Sequence, residues 1–259
     1  GFRTVVYSPE ADPPAPQVCH RHIQASYEDA EPLEAFGRAC DAITLEFENV
    51  PVSALEAVRP LAALRPQPHA LRMAQDRIEE RAVRRRQGLP RAPHVAAYRA
   101  EDLSSALETL GAPMVVKTAR FGFDGKGQVY VANEADLERA EPLLEQTPTL
   151  CEACVDFQAE LSVIVGRRPS GELRLFGPIR NEHSDHILDT STVPAETDPS
   201  VVERAREVAQ GVAEGLGLEG LICVELFLTP ENEVLINELA PRPHNSGHLT
   251  IEACSCSQF

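Results

Sequence analysis

Positive charge is scarce in this sequence. Its 259 residues carry 40 Asp and Glu against 24 Lys and Arg, a formal net charge of −16 at pH 7. Nucleic-acid binders draw their affinity from basic contacts to phosphates, so the balance argues against that class. It does not exclude a nucleotide, which needs only a few local cations. Long apolar runs are missing too: none approaches the ~20 residues of a membrane span. No secretory or transit segment is recognisable, so a cytoplasmic location is expected. The seven cysteines are odd in number and scattered, which reads as reduced thiols rather than a disulfide framework. Cys151-x-x-Cys154 and Cys254-x-Cys256 lack the flanking pattern of a zinc knuckle.

What is present is the composition of a globular chain, 43% hydrophobic and 25% charged, long enough for two or three subdomains. Its organising stretch is LICVELFLTPENEVLINELAPRPHNSGHLTIE, residues 221–252. Apolar runs at 221–229 and 233–239 flank Pro230-Glu231-Asn232-Glu233 and predict a hairpin. A two-residue loop at Glu231 and Asn232 would set Pro230 opposite Glu233, Phe227 opposite Ile236 and Glu225 opposite Glu238. Directly opposed side chains share a face, with Cβ atoms about 5 Å apart. Two facing carboxylates between apolar strands repel each other and resist burial, so a cation should lie between them. Mg²⁺ suits the place, because it takes one or two carboxylates and completes its shell with water and phosphate oxygens; Mn²⁺ is an acceptable substitute. The polar loop that follows, Pro241 to His248, supplies a guanidinium (Arg242), imidazoles (His244, His248), an amide (Asn245) and a hydroxyl (Ser246), a set suited to phosphate or carboxylate recognition.

Earlier segments alternate strands and helices. A strand at 3–7 precedes a proline-rich turn, a helix at 31–40, a strand at 42–47 and a helix at 53–58. Glu46 and Glu48 stand at the end of the second strand, where ligands gather in open α/β sheets. Residues 69–88 predict one long helix whose basic face, Arg81 to Arg86, reads as solvated surface. Residues 92–150 predict a small α/β unit. In it, strand 113–118 carries Lys117, and the loop Gly122-Phe123-Asp124-Gly125-Lys126-Gly127-Gln128 leads to a strand at 129–132. Three glycines in six residues let backbone N–H groups approach an anion, and Lys117 and Lys126 add positive charge. Two strands lie within 149–165, another at 173–178, and an amphipathic helix at 199–216. His183 and His186 have a spacing that could hold a metal, but further donors are lacking.

INELAPRPHNSGHLTIEAC together with the G-F-D-G-K-G loop resembles the ATP-grasp ligases of purine biosynthesis. Within these it is most similar to the 5-carboxyaminoimidazole ribonucleotide synthetases, with Leu249 where that family usually has Trp and Phe123 where it commonly has Tyr. The motifs occur in the family's order along the whole chain. The resemblance implies an α/β and α+β ATP-grasp fold with a truncated Rossmann-like N-terminal domain. Residues 1–90 would form that domain and a linker helix, 91–155 the small lobe with its glycine-rich loop, and 156–259 the large lobe. It also implies that further segments precede Gly1 and follow Phe259.

The implied function is carboxylation of aminoimidazole ribonucleotide, using ATP and bicarbonate, by way of carboxyphosphate. Another ATP-grasp ligase, or an inactive nucleotide-binding fragment, is the alternative. By this resemblance Arg77, Lys117 and the loop 122–128 hold phosphates, and Glu152, Ala153, Cys154 and Val155 form the adenine hinge. Glu160 binds the ATP ribose, while His183, Asn237 and Glu238 lie near the nucleotide. Glu46, Phe123, Asp124, Arg242, His244, Asn245 and Ser246 would meet the substrates. Lys126, Arg242, His244 and Asn245 would act in catalysis, and Glu225 and Glu238 would hold the metal. Members of the family commonly form dimers.

Overall fold

The computed structural model describes residues 2–120, 122, 127–184 and 187–259, with all their side chains except those of residues 83, 85 and 86. The chain forms an N-terminal α/β unit and two antiparallel sheets. The N-terminal unit pairs β1 (Val5–Ser8) in parallel with β2 (Arg21–Gln24), and, after α1 (Ala30–Arg38), β3 (Ala42–Ile43) in parallel with β4 (Ala63–Leu64) beyond α2 (Val52–Val58). Its core gathers Leu33, Ile43, Leu45, Val50, Leu55, Val58 and Leu71. Two expectations change here. The strand expected at 42–47 stops at Ile43, and β2 was not foreseen because RHIQ has little apolar content to announce it.

The helix expected over 69–88 is two, α3 (Pro68–Ala74) and α4 (Arg77–Arg86). Asp76 accounts for the break: its Oδ1 accepts the backbone N–H groups of Ile78 and Glu79 at 3.1 Å each, capping α4. The solvated basic face also needs correction. Arg81 is 3% exposed and Arg84 1%, because α4 lies between the two sheets rather than on the outside.

The smaller sheet has the order β5-β8-β6-β7: β5 (His94–Ala97), β6 (Met114–Thr118), β7 (Gln128–Val131) and β8 (Thr149–Ala153). α5 (Ala100–Leu110) and α6 (Leu137–Leu144) pack on it over a core that includes Leu103, Met114, Val116, Val131 and Ala140. The larger sheet runs β11-β10-β9-β12-β13: β9 (Ala159–Arg167), β10 (Leu173–Ser184), β11 (Ile187–Thr192), β12 (Gly220–Leu228) and β13 (Val234–Ala240). Alternation divides its faces. Leu161, Val163, Val165, Val224, Leu226 and Leu228 pack with Val201, Ala205, Val208 and Val212 of α7 (Pro199–Gly215). The residues between them, Glu160, Ser162, Glu225 and Phe227, take the opposite face. A short helix, α8 (Thr250–Ala253), follows the polar loop. Among the described residues no helix is long and apolar enough to cross a membrane.

The β12–β13 hairpin differs from the expected register in an instructive way. Its loop has three residues, closed by Asn232 N–H donating to Thr229 O at 2.9 Å, with Asn232 in the left-handed region at φ 65. Leu226 therefore faces Ile236, and Phe227 faces Leu235, one step from the register expected for a two-residue loop. A bulge between Val224 and Leu226 then restores it: Val224 faces Leu239, so Asn237 and Glu238 together stand across from Glu225. The pairing expected of the two glutamates is kept, by a turn and a bulge that cancel.

Candidate functional site

A cavity of about 520 Å³ opens between the two sheets, and all parts of the chain reach it. β6 and β8 bring Lys117, Glu152 and Ala153; the connection after β8 brings Cys154, Val155 and Phe157. The polar face of the larger sheet supplies Glu160, His183, Glu225, Phe227, Asn237 and Glu238. The loop after β13 supplies Arg242, His244 and Asn245, α4 supplies Arg77 and Arg81, and Glu48 enters from the N-terminal unit. Gly122 and Gln128 line it at the two ends of the glycine-rich segment.

Buried ion pairs organise the α4 side. Arg81 donates from Nε to Glu152 Oε1 at 2.7 Å and from Nη2 to Asn237 O at 2.8 Å. Lys117 Nζ donates to the other Glu152 oxygen at 2.9 Å. Burial disfavours the Glu152 carboxylate, but Arg81 and Lys117 outweigh it and hold the carboxyl well below its ordinary range. One turn along α4, Arg77 Nη2 donates to Glu238 Oε1 at 2.8 Å, and Nη1 to Thr118 O at 3.3 Å. Arg84, one turn past Arg81, pairs with Glu80. The spacing 77, 81, 84 puts all three guanidiniums on one helix face, tying the smaller sheet to the bulge of the larger one.

The substrate-loop side has its own pairs. Arg242 Nε lies 2.9 Å from Glu48 Oε1. Burial pushes the Glu48 carboxyl up to about 7; Arg242 works against this, and the nearby Glu238 and Glu225 reinforce it. His244 is held on both ring nitrogens: Nε2 lies 2.9 Å from Glu225 Oε1 and Nδ1 2.8 Å from Ser246 Oγ. Burial disfavours the charged ring, but Cys223 and Glu225 outweigh it and raise the pKa well above its ordinary value. The Ser246 N–H aimed at Nδ1 from 3.3 Å works the other way, since a protonated Nδ1 has no lone pair to receive it. The backbone donor is fixed in place, so we read Nδ1 as an acceptor. Glu225 resists burial, but the hydrogen bond from His244 lowers its pKa. Gln258 clamps the loop by accepting from His244 N at 3.0 Å and donating to His244 O at 2.8 Å.

Most residues expected at the site are brought together here. Arg77, Lys117, Glu152 to Val155, Glu160, His183, Glu225, Asn237, Glu238, Arg242 and Asn245 share the cavity wall. Others need correction. Glu46 is exposed and points away; Glu48, two residues on, takes the place in the cavity. Ser246 is wholly buried behind His244 and cannot touch a substrate. His244 does line the cavity, with both ring nitrogens engaged by Glu225 and Ser246. Gly127 lies at the root of the glycine-rich segment, where an added Cβ would come within 2.7 Å of Thr118 Oγ1. Phe123, Asp124, Gly125, Lys126 and His186 fall outside the described residues. Sequence reasoning missed Arg81, masked within an Arg-rich run, and the stacked pair Phe157–Phe227, with centroids 4.7 Å apart, at the cavity wall.

Among the described residues no group of three or more His, Cys, Asp or Glu could hold a metal ion alone. The donor set at the bulge, Glu225 and Glu238, is all carboxylate oxygen. Such a pair suits a hard divalent cation only when phosphate oxygens and water complete its shell, and a cavity ringed by Lys117, Arg77 and Arg242 suits phosphates.

Two sheets gripping a cavity lined by paired Arg, Lys and Glu side chains, with a glycine-rich segment at its edge, define an ATP-grasp protein, and residues 82–259 match the ATP-grasp domain family. Residues 1–75 match the ribonucleotide synthetase preATP-grasp domain. The chain is 40% identical over its full length to the N5-carboxyaminoimidazole ribonucleotide synthase of Brucella melitensis, of which it covers 72%. It superposes with a TM-score of 0.94 on the Staphylococcus aureus N5-carboxyaminoimidazole synthetase complexed with ADP, at 36% identity, covering 100% of this chain and 69% of that one. The Aspergillus clavatus synthase, in complex with ADP and 5-aminoimidazole ribonucleotide, gives 0.86 at 28% identity, covering 95% and 65%. The chain belongs to the N5-carboxyaminoimidazole ribonucleotide synthase family.

Proposed function

We propose that this chain carboxylates the exocyclic amine of aminoimidazole ribonucleotide, consuming ATP and bicarbonate and passing through carboxyphosphate. The observation that supports this reading most is the meeting, in one cavity, of a phosphate-binding side and a second, separately ordered polar side. Lys117 and Arg77 offer cations to the ATP phosphates from strand β6 and helix α4. Phe157, Phe227 and the Ala153–Val155 backbone offer an apolar slot for adenine, and Glu160 offers an acceptor to ribose hydroxyls. On the far side Arg242 and Asn245 would hold bicarbonate and the amine, with Glu48 beside them.

Glu225, Glu238 and the ATP phosphates are the oxygen donors that would hold Mg²⁺ or Mn²⁺. Bound there, the cation would offset the phosphate charge and favour transfer of the terminal phosphoryl group. Bicarbonate is a poor electrophile, and phosphorylation activates it. Arg242 and Asn245 orient the acceptor oxygen and then the amine, lowering the entropic part of the barrier. The segment 122–128, with Phe123, Asp124 and Lys126, would cover the phosphates and exclude water from a labile intermediate. His244 takes a supporting part, holding Glu225 in position. Ser246 acts behind it.

We also assign residues 1–90 to the pre-ATP-grasp domain and linker helix, 91–155 to the small lobe and 156–259 to the large lobe. A homodimer, from the family resemblance, and a cytoplasmic location, from the scattered cysteines read as reduced thiols, complete the reading. The test is direct. With Mg-ATP, ¹³C-bicarbonate and aminoimidazole ribonucleotide, a carbamate ¹³C signal should appear in step with ADP. ADP formation that ignores the ribonucleotide would point to another ATP-grasp ligase; nucleotide binding with no turnover would point to a fragment that binds only.

A further inference from the structure

We propose that Ser246 and Ser162, backed by Asn181, are positioning residues that set the His244 tautomer so that its Nε2–H is donated to Glu225. The proposal rests on reading Glu225 as a carboxylate that serves the metal and phosphates. Ser162 and Ser246 are wholly buried, and Asn181 is 6% exposed. Ser191 Oγ donates to Asn181 Oδ1 at 3.1 Å, and Asn181 Nδ2 to Ser162 Oγ at 3.0 Å. Ser162 Oγ donates to Ser246 Oγ at 2.8 Å, which in turn stands 2.8 Å from His244 Nδ1. Residues from β11, β10 and β9 thus form one chain across the sheet, ending at Glu225 on β12.

A chain of hydroxyls and an amide can run in either direction, because each hydroxyl both donates and accepts and an amide can be flipped. Hydroxyls that only satisfied one another would have no preferred sense. Here one member cannot reverse. The backbone N–H of Ser246 points at His244 Nδ1 from 3.3 Å, and a hydrogen on Nδ1 would face it donor to donor. The chain therefore runs toward the histidine: Ser162 donates to Ser246, and Ser246 donates to Nδ1. The ring hydrogen is then on Nε2, 2.9 Å from Glu225 Oε1. The other tautomer would put the Nε2 lone pair against the carboxylate.

The consequence falls on Glu225. Its Oε1 is occupied by His244, whereas Oε2 has, among the described residues, only a 3.4 Å contact with the Asn237 amide. One oxygen is fixed and the other is presented to the cavity. A histidine whose second nitrogen is set by a hydroxyl is a means of orienting a ligand carboxylate from behind it.

The test joins a spectroscopic readout to binding. Long-range ¹H–¹⁵N spectra of histidine-labelled protein should show His244 protonated on Nε2 and bare on Nδ1, without nucleotide; Ser246→Ala should yield a tautomer mixture. Calorimetry with Mg-ADP should show Ser246→Ala and His244→Asn weakened by about 10- to 100-fold, the usual range for such orienting groups. His244→Gln, whose amide nitrogen replaces Nε2–H, should recover most of the loss seen in His244→Asn. In the His244→Gln background Ser246→Ala should add little, there being no tautomer left to set. A protonated Nδ1 in the wild type would overturn the proposal. So would an equal loss from Ser246→Ala in both backgrounds, the mark of a merely structural hydroxyl. Failure of the wild type to bind Mg-ADP would instead overturn the functional reading, leaving the tautomer result to stand.

Discussion

Arg77 Nη2 and Glu238 Oε1 lie 2.8 Å apart, so the carboxylate expected to serve a metal is already paired with a cation in the protein itself. Like-charge repulsion between Glu225 and Glu238 would by itself make Glu238→Gln stabilising in EDTA. The Arg77 pair reverses that sign. Glu238 keeps 42% side-chain exposure, so the loss should be small, up to about 1 kcal/mol. With saturating Mg-ATP the gap in melting temperature between wild type and variant should widen, because ligand stabilisation scales with affinity. Equal losses in both conditions would mark Glu238 as structural only.

Glu48 should titrate near 7 by ¹³C-carboxyl NMR. Since Arg242 lowers its pKa, Arg242→Gln should move the midpoint higher still. The folded value exceeds the unfolded one, about 4.3. The cost of ionising Glu48 is therefore absent below that pH, grows as pH rises, and is complete above about 7. Glu48→Gln should accordingly fare better against wild type at pH 8 than at pH 5 in thermal melts. The reverse order would show the Arg242 pair to dominate.

Arg81→Met should cost about 3–5 kcal/mol in urea unfolding, the range for breaking a buried pair. It leaves Glu152 with Lys117, and the Asn237 carbonyl with the longer 3.4 Å contact from Arg84 Nη1 in place of the 2.8 Å one from Arg81. Arg81→Lys should not restore the loss, because an ammonium cannot span both acceptors as the planar guanidinium does.

Glu152 makes an acid prediction of opposite sense to that for Glu48. Its folded pKa is depressed, so its stabilisation is present above the unfolded value of about 4.3 and is lost as pH falls toward the folded one. Glu152→Gln should flatten the acid limb of the stability curve. An unchanged limb would mean that other carboxylates carry it.

How much of this was legible beforehand depended on whether a residue's partners were local. The β12–β13 hairpin, α7 and strand β6 show in apolar periodicity and boundary residues. The spacing of Val234, Ile236 and Leu239 even breaks the two-residue alternation where the bulge falls. What the sequence conceals is long-range pairing. Arg81 looks like surface within RAVRRR until Glu152, 71 positions away, is brought against it. Glu46 and Glu48 look alike until one is turned to solvent and the other to Arg242. Ser246 reads as a polar loop residue, and only the approach of Ser162 from β9 reveals it as buried. Asp76 was the one local signal overlooked, an N-cap residue inside a helical run.

The hairpin obeys a parity rule. The three-residue tip shifts every facing pair by one, and the bulge at Asn237–Glu238 shifts them back. With the tip alone, Val224 would face Glu238 and Cys223 would face Leu239, carrying a carboxylate under α7 and a leucine into the cavity. With the bulge but a two-residue tip, Phe227 would face Ile236 and Val224 would face Ala240, inverting the strand along its whole length. Length changes at 230–232 are therefore not interchangeable surface variation: an odd change must be answered by an odd change in the strand, whereas an even one leaves the glutamate on its side of the sheet. A site some distance from the loop thus constrains how that loop can be shortened or extended.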